Sequence, residues 1–290
     1  MHIFFVESEK ALLPEIKAYK NYFSSKGFIC ESGLSKKIIN NKNIIVWYFM
    51  GFNLFRKKDE IIIHEYTSLS VGRFARLKNH MKKILNCKPD VRIFQNIDVE
   101  KEMRFNDDIP SLYRDMAVSE KFFFDKEVIK TYDFVYCGAI DKERRLDLIL
   151  DKFLIDGDKT ILVLGSIPDH YYDKYNQRNI NLLGKVKYDD VPNYLKQARI
   201  GINIVEDKYP YNFQTSTKIL EYLACGLGVY TTKNSWCDKY QKNNKVSFSY
   251  FNMDTFNTNV ECVIKQEINV PCWEEVIARS KIETYLRRAL

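Results

Sequence analysis

Three stretches of the sequence hold residue types that can do chemistry together. In the first, Ser216, Thr217, Lys218 and Glu221 open a segment that runs to Gly226 and into an apolar stretch at 228–231. Ser216 or Thr217 suits a helix N-cap. A helix start presents free N–H groups and a positive dipole end, which suits a pyrophosphate, and Lys218 adds a charge there. Glu221 lies one turn further on, and a carboxylate can accept two hydrogen bonds from a ribose diol. In the second stretch, 136–147, Gly138 lets a ligand approach the backbone closely. Arg144 and Arg145 then precede a helix. An arginine grips phosphate with two parallel hydrogen bonds and stabilises a leaving group as its charge builds. In the third, the run Ile61-Ile62-Ile63 ends in His64 and Glu65. Glu65 could assist deprotonation of a hydroxyl. Each stretch also has a plain reading: a surface Lys–Glu pair, a helix start with Arg–Asp pairing, a core histidine.

These residues need strands and helices to hold them, and the sequence alternates the two. Residues 2–6 read as a strand, and 12–25 as a helix, with Leu12, Ile16, Tyr19 and Phe23 at helical spacing before Gly27. Apolar, β-branched runs at 44–49, 60–64 and 91–94 read as further strands. A second cycle starts near Tyr132, with strands at 134–137, 160–164, 181–183, 200–204 and 228–231. Helix-like segments at 146–153, 191–197 and 218–224 lie among them. Such alternation predicts parallel βαβ units, so the fold class is α/β with two Rossmann-like domains. The predicted division is 1–128, 129–271 and a basic C-terminal helix, 272–290, that could pack back on the N-terminal domain. The boundary is placed in the polar stretch 126–132 (Lys126, Glu127, Lys130). In open α/β sheets, ligands bind beyond the C-terminal ends of the strands. Asp156-Gly157-Asp158 matches a metal-binding D-x-D, but it precedes a strand, so it reads as a turn.

The stretch 216–232 resembles the donor-binding signature of the family-four retaining glycosyltransferases, roughly K-x-x-E-Y/A-x-A-x-G-x-P-V-V. That resemblance implies the GT-B architecture and gives Glu221 the nucleotide ribose. The stretch 136–147 is similar to the first strand–turn of the same family's second domain, which implies that Arg145, or Arg144 after it, contacts the donor diphosphate. Residues 182–195, from Leu182-Leu183-Gly184-Lys185-Val186 to Leu195, resemble the family segment whose backbone meets the nucleobase, which implies Val186. A histidine near the reacting sugar is matched by His64. Two departures stand out. Phe213 occupies the position of a second glutamate that contacts the donor sugar, and Gly228 replaces a proline. The resemblance covers most of 132–232, and residues 1–128 only through layout and His64.

Function follows as an expectation: transfer of a sugar from a nucleotide diphosphate donor, UDP first, to a glycan or lipid-linked glycan, with retention, in O-antigen or capsule synthesis. Arg145, Lys218 and the amides at 216–218 would stabilise the departing diphosphate. A nucleotide-sugar epimerase on the same scaffold, or a non-catalytic nucleotide-sugar-binding partner subunit, are the alternatives.

Composition narrows the field. The 290 residues are 46% hydrophobic, enough for two modest cores. Seven scattered cysteines without a C-x-x-C pair, and four separated histidines, argue against a disulfide scaffold or a zinc site. No metal or cofactor is expected; the nucleotide sugar is a substrate. Apolar runs never approach the roughly 18 residues of a spanning helix, and the N-terminus reads as a strand rather than a signal peptide. The formal charge of +7 favours anionic partners, but no nucleic-acid docking motif is present. In 72–85, Phe74, Leu77, Met81 and Ile84 share one helical face beside Arg73, Arg76, His80 and Lys83, with no acidic residue. That pattern fits either a surface helix of a Rossmann half or an interfacial helix drawn to anionic lipid. The expected setting is cytoplasmic, at the inner face of the membrane if this helix docks there.

Overall fold

A computed structural model describes residues 1–8, 13–35, 38, 44–123, 128–140, 144–262 and 269–289. Leu12, Lys126, Glu127, Asp141, Lys142, Glu143 and Leu290 lie outside the described residues. The chain divides into two compact units. Unit 1 holds Met1–Ala117, Phe213–Thr215 and Pro271–Leu290; unit 2 holds Val118–Asn212 and Ser216–Val270. The first crossing therefore falls at Ala117/Val118, upstream of 126–132.

Unit 1 is built on β1 (His2–Val6), α1 (Pro14–Ser25), β2 (Ile29–Gly33), β3 (Ile44–Phe49), β4 (Glu60–Tyr66), α2 (Ala75–Leu85), β5 (Val91–Phe94), α3 (Ile97–Met103) and β6 (Ser111–Tyr113). Its sheet runs β2-β1-β3-β4-β5-β6 and every pairing is parallel. The central strands are apolar almost throughout, as strands covered on both faces must be. Phe5, Tyr19, Phe23 and Trp47 form an aromatic centre, with the Tyr19 and Trp47 rings 4.4 Å apart.

Unit 2 is built on β7 (Tyr132–Cys137), α4 (Leu146–Asp156), β8 (Ile161–Leu164), α5 (Asp169–Tyr175), β9 (Ile180–Gly184), α6 (Val191–Leu195), β10 (Ala198–Asn203), α7 (Thr217–Ala224), β11 (Gly228–Thr232), α8 (Ser235–Asn244) and β12 (Ser249–Phe251). The strand order is β12-β11-β10-β7-β8-β9, again all parallel. The chain builds outward from β7 in one direction, then returns to place β10 on its other side. The switch point between β7 and β10 is where such sheets open a crevice for a ligand.

The C-terminal segment forms two helices, α9 (Trp273–Arg279) and α10 (Ile282–Ala289), where a single helix was expected. Lys281 is left-handed (φ 59°), and the Ser280 hydroxyl donates to the Ile277 carbonyl at 2.6 Å. Together these turn the chain. Trp273, Ile277, Ile282 and Leu286 are buried in the core of unit 1. Asp156-Gly157-Asp158 forms the turn between α4 and β8, with Gly157 left-handed at φ 65°. Among the described residues no helix is long and apolar enough to cross a membrane.

Candidate functional site

At the switch point of unit 2, Tyr222 joins three elements. Its hydroxyl accepts a hydrogen bond from the Cys137 amide at the end of β7 and donates to the Ile202 carbonyl on β10, each at 3.1 Å. The ring lies against Gly201, where any Cβ would collide with it. A glycine inside β10 is thus the condition for α7 to settle across the crevice. Neither Tyr222 nor Gly201 was singled out from sequence, although Tyr222 stands inside the signature beside Glu221.

With α7 held there, its first turn faces the ends of the strands. The first intrahelical bond runs from the Leu220 amide to the Ser216 carbonyl, so the amides of Thr217, Lys218 and Ile219 belong to the open end of the helix. The Lys218 ammonium lies over Gly138: a Cβ on Gly138 would run into it and stand 2.9 Å from Lys218 Cε. The same ammonium is 5.4 Å from the centre of the Tyr136 ring. Arg144 reaches the same place, its Nη1 donating to the Ala139 carbonyl at 3.0 Å and lying 3.4 Å from that hypothetical Cβ. Two cations from stretches some 75 residues apart therefore converge on one glycine. Gly165, at the end of β8, completes the floor, since a Cβ there would strike the Gly138 carbonyl.

Arg145, the residue favoured for phosphate from the resemblance, is placed differently. It is the N-cap of α4, left-handed at φ 47° and exposed.

Glu221 is 8% exposed. Its Oε1 accepts a hydrogen bond from the Tyr188 hydroxyl at 2.9 Å. Burial raises its pKa to about 7, against the opposing pull of Tyr188 and Lys218. Tyr188 packs on Phe122, with ring centroids 5.6 Å apart, and follows the half-buried Val186 in the loop after β9. Gly184, left-handed at φ 86°, starts that loop. Beside Glu221, burial pushes the Cys137 thiol up to about 12. Among the described residues no cluster of His, Cys, Asp or Glu could hold a metal ion.

His64 and Glu65 lie in unit 1, inside β4 rather than at its end, because β4 stays paired with β3 as far as Glu65 and with β5 as far as Tyr66. Successive strand residues face opposite sides of a sheet. The two side chains accordingly part. His64 is buried with its Nε2 3.3 Å from Asn53 Nδ2. Burial, then the nearby Arg92 charge, lowers its pKa to about 3, so the ring is neutral. Glu65 is 1% exposed. It accepts from Trp47 Nε1 at 2.7 Å and pairs with Arg114. Arg114 in turn donates to the Tyr19 hydroxyl at 2.9 Å and stands 4.0 Å from Glu15. The expected proton-transfer part for Glu65 gives way to a structural one, because its carboxylate is spent on a buried arginine. Phe213 is half-buried in unit 1 and its carbonyl accepts from Asn96 at 3.0 Å.

Residues 144–263 match the family model described as glycosyl transferase-like. That span holds Arg144, Val186, Lys218 and Glu221. No curated protein matches the chain in sequence. Among solved structures, AviGT4, a glycosyltransferase involved in avilamycin A biosynthesis, shares 10% identity at a TM-score of 0.61, covering 99% of this chain and 97% of that one. T4 phage BGT in complex with its UDP-glucose substrate shares 16% identity at 0.52, covering 100% and 92%. A UDP-N-acetylglucosamine 2-epimerase-like protein from Listeria monocytogenes shares 6% at 0.51, covering 87% and 85%. The fold is GT-B: two Rossmann-like domains, each on a parallel six-stranded sheet. Family model and fold together support a transferase.

Proposed function

We propose that this chain is a glycosyltransferase that moves a sugar from a UDP-sugar to a glycan or lipid-linked glycan, with retention at the anomeric carbon, in surface-polysaccharide synthesis. The observation that carries the reading is the convergence of Lys218 and Arg144 over Gly138, at the open end of the helix that also bears Glu221. Positive groups arranged in advance where a leaving diphosphate gains charge are what this chemistry needs. Unit 2 takes the donor. The amides at 217–219, Lys218 and Arg144 receive the diphosphate, Glu221 holds the ribose diol, and backbone at Val186 meets the base. Arg145, exposed at the same helix start, guides the phosphates inward. Unit 1 takes the acceptor. Retention and the polysaccharide setting rest on the resemblance of 216–232 to the family-four signature; the choice of UDP is supported by the UDP-glucose in BGT.

Calorimetric titration with UDP, GDP, CDP and ADP tests this. UDP alone should bind, and Glu221→Ala should weaken it about tenfold or more, a loss of some 1.4 kcal/mol. Absence of binding by any of the four would overturn the donor-site reading. The epimerase-like neighbour favours a second reading on the same scaffold. Conversion of UDP-N-acetylglucosamine to its epimer without acceptor, followed by NMR, would replace transfer with epimerisation.

A further inference from the structure

The helix α2 is amphipathic the wrong way round. Its buried residues are Ala75 and Asn79, and these are joined on the inner face by half-buried Lys82 and Asn86. That face is fastened by polar contacts. Asn79 Oδ1 accepts from the Ser70 amide at 2.9 Å, and Lys82 Nζ donates to the Met50 carbonyl at 3.3 Å. The apolar residues point outward instead: Phe74 is 59% exposed and Ile84 63%, with Leu77 and Met81 exposed between them. At about 100° per residue, these four fall within an arc of roughly 80° on the side opposite Ala75. Arg73 and His80 border that arc on one side and Lys78 on the other.

A second element adjoins it. The loop after β3 is tied to the end of α2, where Asn86 Oδ1 accepts from the Asn53 amide and the Cys87 amide donates to the Asn53 carbonyl, both at 2.8 Å. This loop exposes Phe52, Leu54 and Phe55, the last at 82%. From residue 66 to residue 89 the sequence has no Asp or Glu, against Arg73, Arg76, Lys78, Lys82, Lys83 and Lys88.

We propose that α2 and the 52–55 loop form a docking face for an anionic lipid bilayer. Exposed apolar side chains enter the boundary of the acyl chains, and the bordering bases meet headgroup phosphates. Charge selects this occupant. A second copy of the chain would set the same lysines and arginines against each other, and protein interfaces are depleted in lysine at their centres. A nucleic-acid backbone would use the bases but leave Phe74, Leu77, Met81 and Ile84 without purpose. The proposal rests on the glycosyltransferase reading only for what the bilayer delivers, a lipid-linked acceptor; the docking is measured apart from it.

The full chain should sediment with vesicles of phosphatidylglycerol and phosphatidylcholine in equal parts, less so in high salt, and far less with phosphatidylcholine alone. Leu77→Asp with Ile84→Asp, both exposed positions, should weaken that association about tenfold or more, as should Arg73→Glu with Lys78→Glu, since each base near such a surface contributes roughly fivefold. Phe52→Ser with Phe55→Ser should weaken it severalfold. Each variant should keep the wild-type affinity for UDP, which separates failure of this face from failure of the donor site. Vesicle binding that is absent, or unchanged in all three variants, overturns the proposal. So does retention on duplex DNA that is lost in Arg73→Glu with Lys78→Glu yet indifferent to Leu77→Asp, or a self-association that Leu77→Asp abolishes.

Discussion

Glu65 in unit 1 and Glu221 in unit 2 are both buried glutamates on parallel α/β scaffolds, yet their surroundings differ. Glu65 faces Arg114 and Trp47, and Arg114 is shared with Tyr19 and Glu15. Every group in that set is satisfied by another, which makes the set internal to the fold. Glu221 meets a tyrosine hydroxyl, and the Lys218 ammonium one turn earlier is turned toward Gly138. Burial raises its pKa to about 7, against the pull of both groups. A carboxylate closed on an arginine holds structure together; one without such a partner is what the proposed donor site would draw on.

The comparison can be broken in three ways. The largest effect is expected from Arg114→Met, which strands Glu65 beside Glu15 without a counter-charge. The cost should be about 3–5 kcal/mol, read from urea unfolding; a loss below about 1 kcal/mol would mean the network is not closed. Lys218→Met should do the reverse: kcat/KM falls roughly a hundredfold, as for loss of one charge-stabilising group, while the urea midpoint barely moves. A variant that instead unfolds would make Lys218 structural. The smallest effect sharpens Glu221. Because the diol needs the charged carboxylate, UDP affinity should rise severalfold between about pH 6 and about pH 8, and Glu221→Gln should be flat across that range. Stability carries the opposite sign. Between about 4.5 and about 7 the folded state keeps a proton that the unfolded chain has released, so this group's contribution falls as pH rises through that window.

Much of the fold could be read from the sequence, since central parallel strands are continuous apolar runs such as Ile44–Phe49 and Ile161–Leu164. The strands that escaped are β2, β6 and β12, and each lies at the edge of its sheet. Edge strands are short and half solvated, so Ile-Cys-Glu-Ser-Gly and Ser-Leu-Tyr carry no apolar run to find. At the site, the signature residues Lys218 and Glu221 could be singled out because they lie together on one helix. That Arg144 rather than Arg145 reaches Gly138 could not be read from sequence, since both precede the same helix. Tyr222 and Gly201 meet only after β10 returns to the side of β7, and nothing local in either segment announces that contact. The outward apolar face of α2 was ambiguous for a related reason: helical spacing shows that a stripe exists, not which way it faces.

The placement of α9 and α10 has a consequence for how the chain is made. Ribosomal synthesis delivers β1 first, but the core around Phe5, Tyr19 and Trp47 stays open until Trp273, Ile277 and Leu286 have left the exit tunnel. Unit 2 needs nothing beyond Val270. The half of the molecule that begins first is therefore the last to close, and a chain truncated after Val270 and released would carry a finished unit 2 beside an unfinished unit 1 exposed to chaperones.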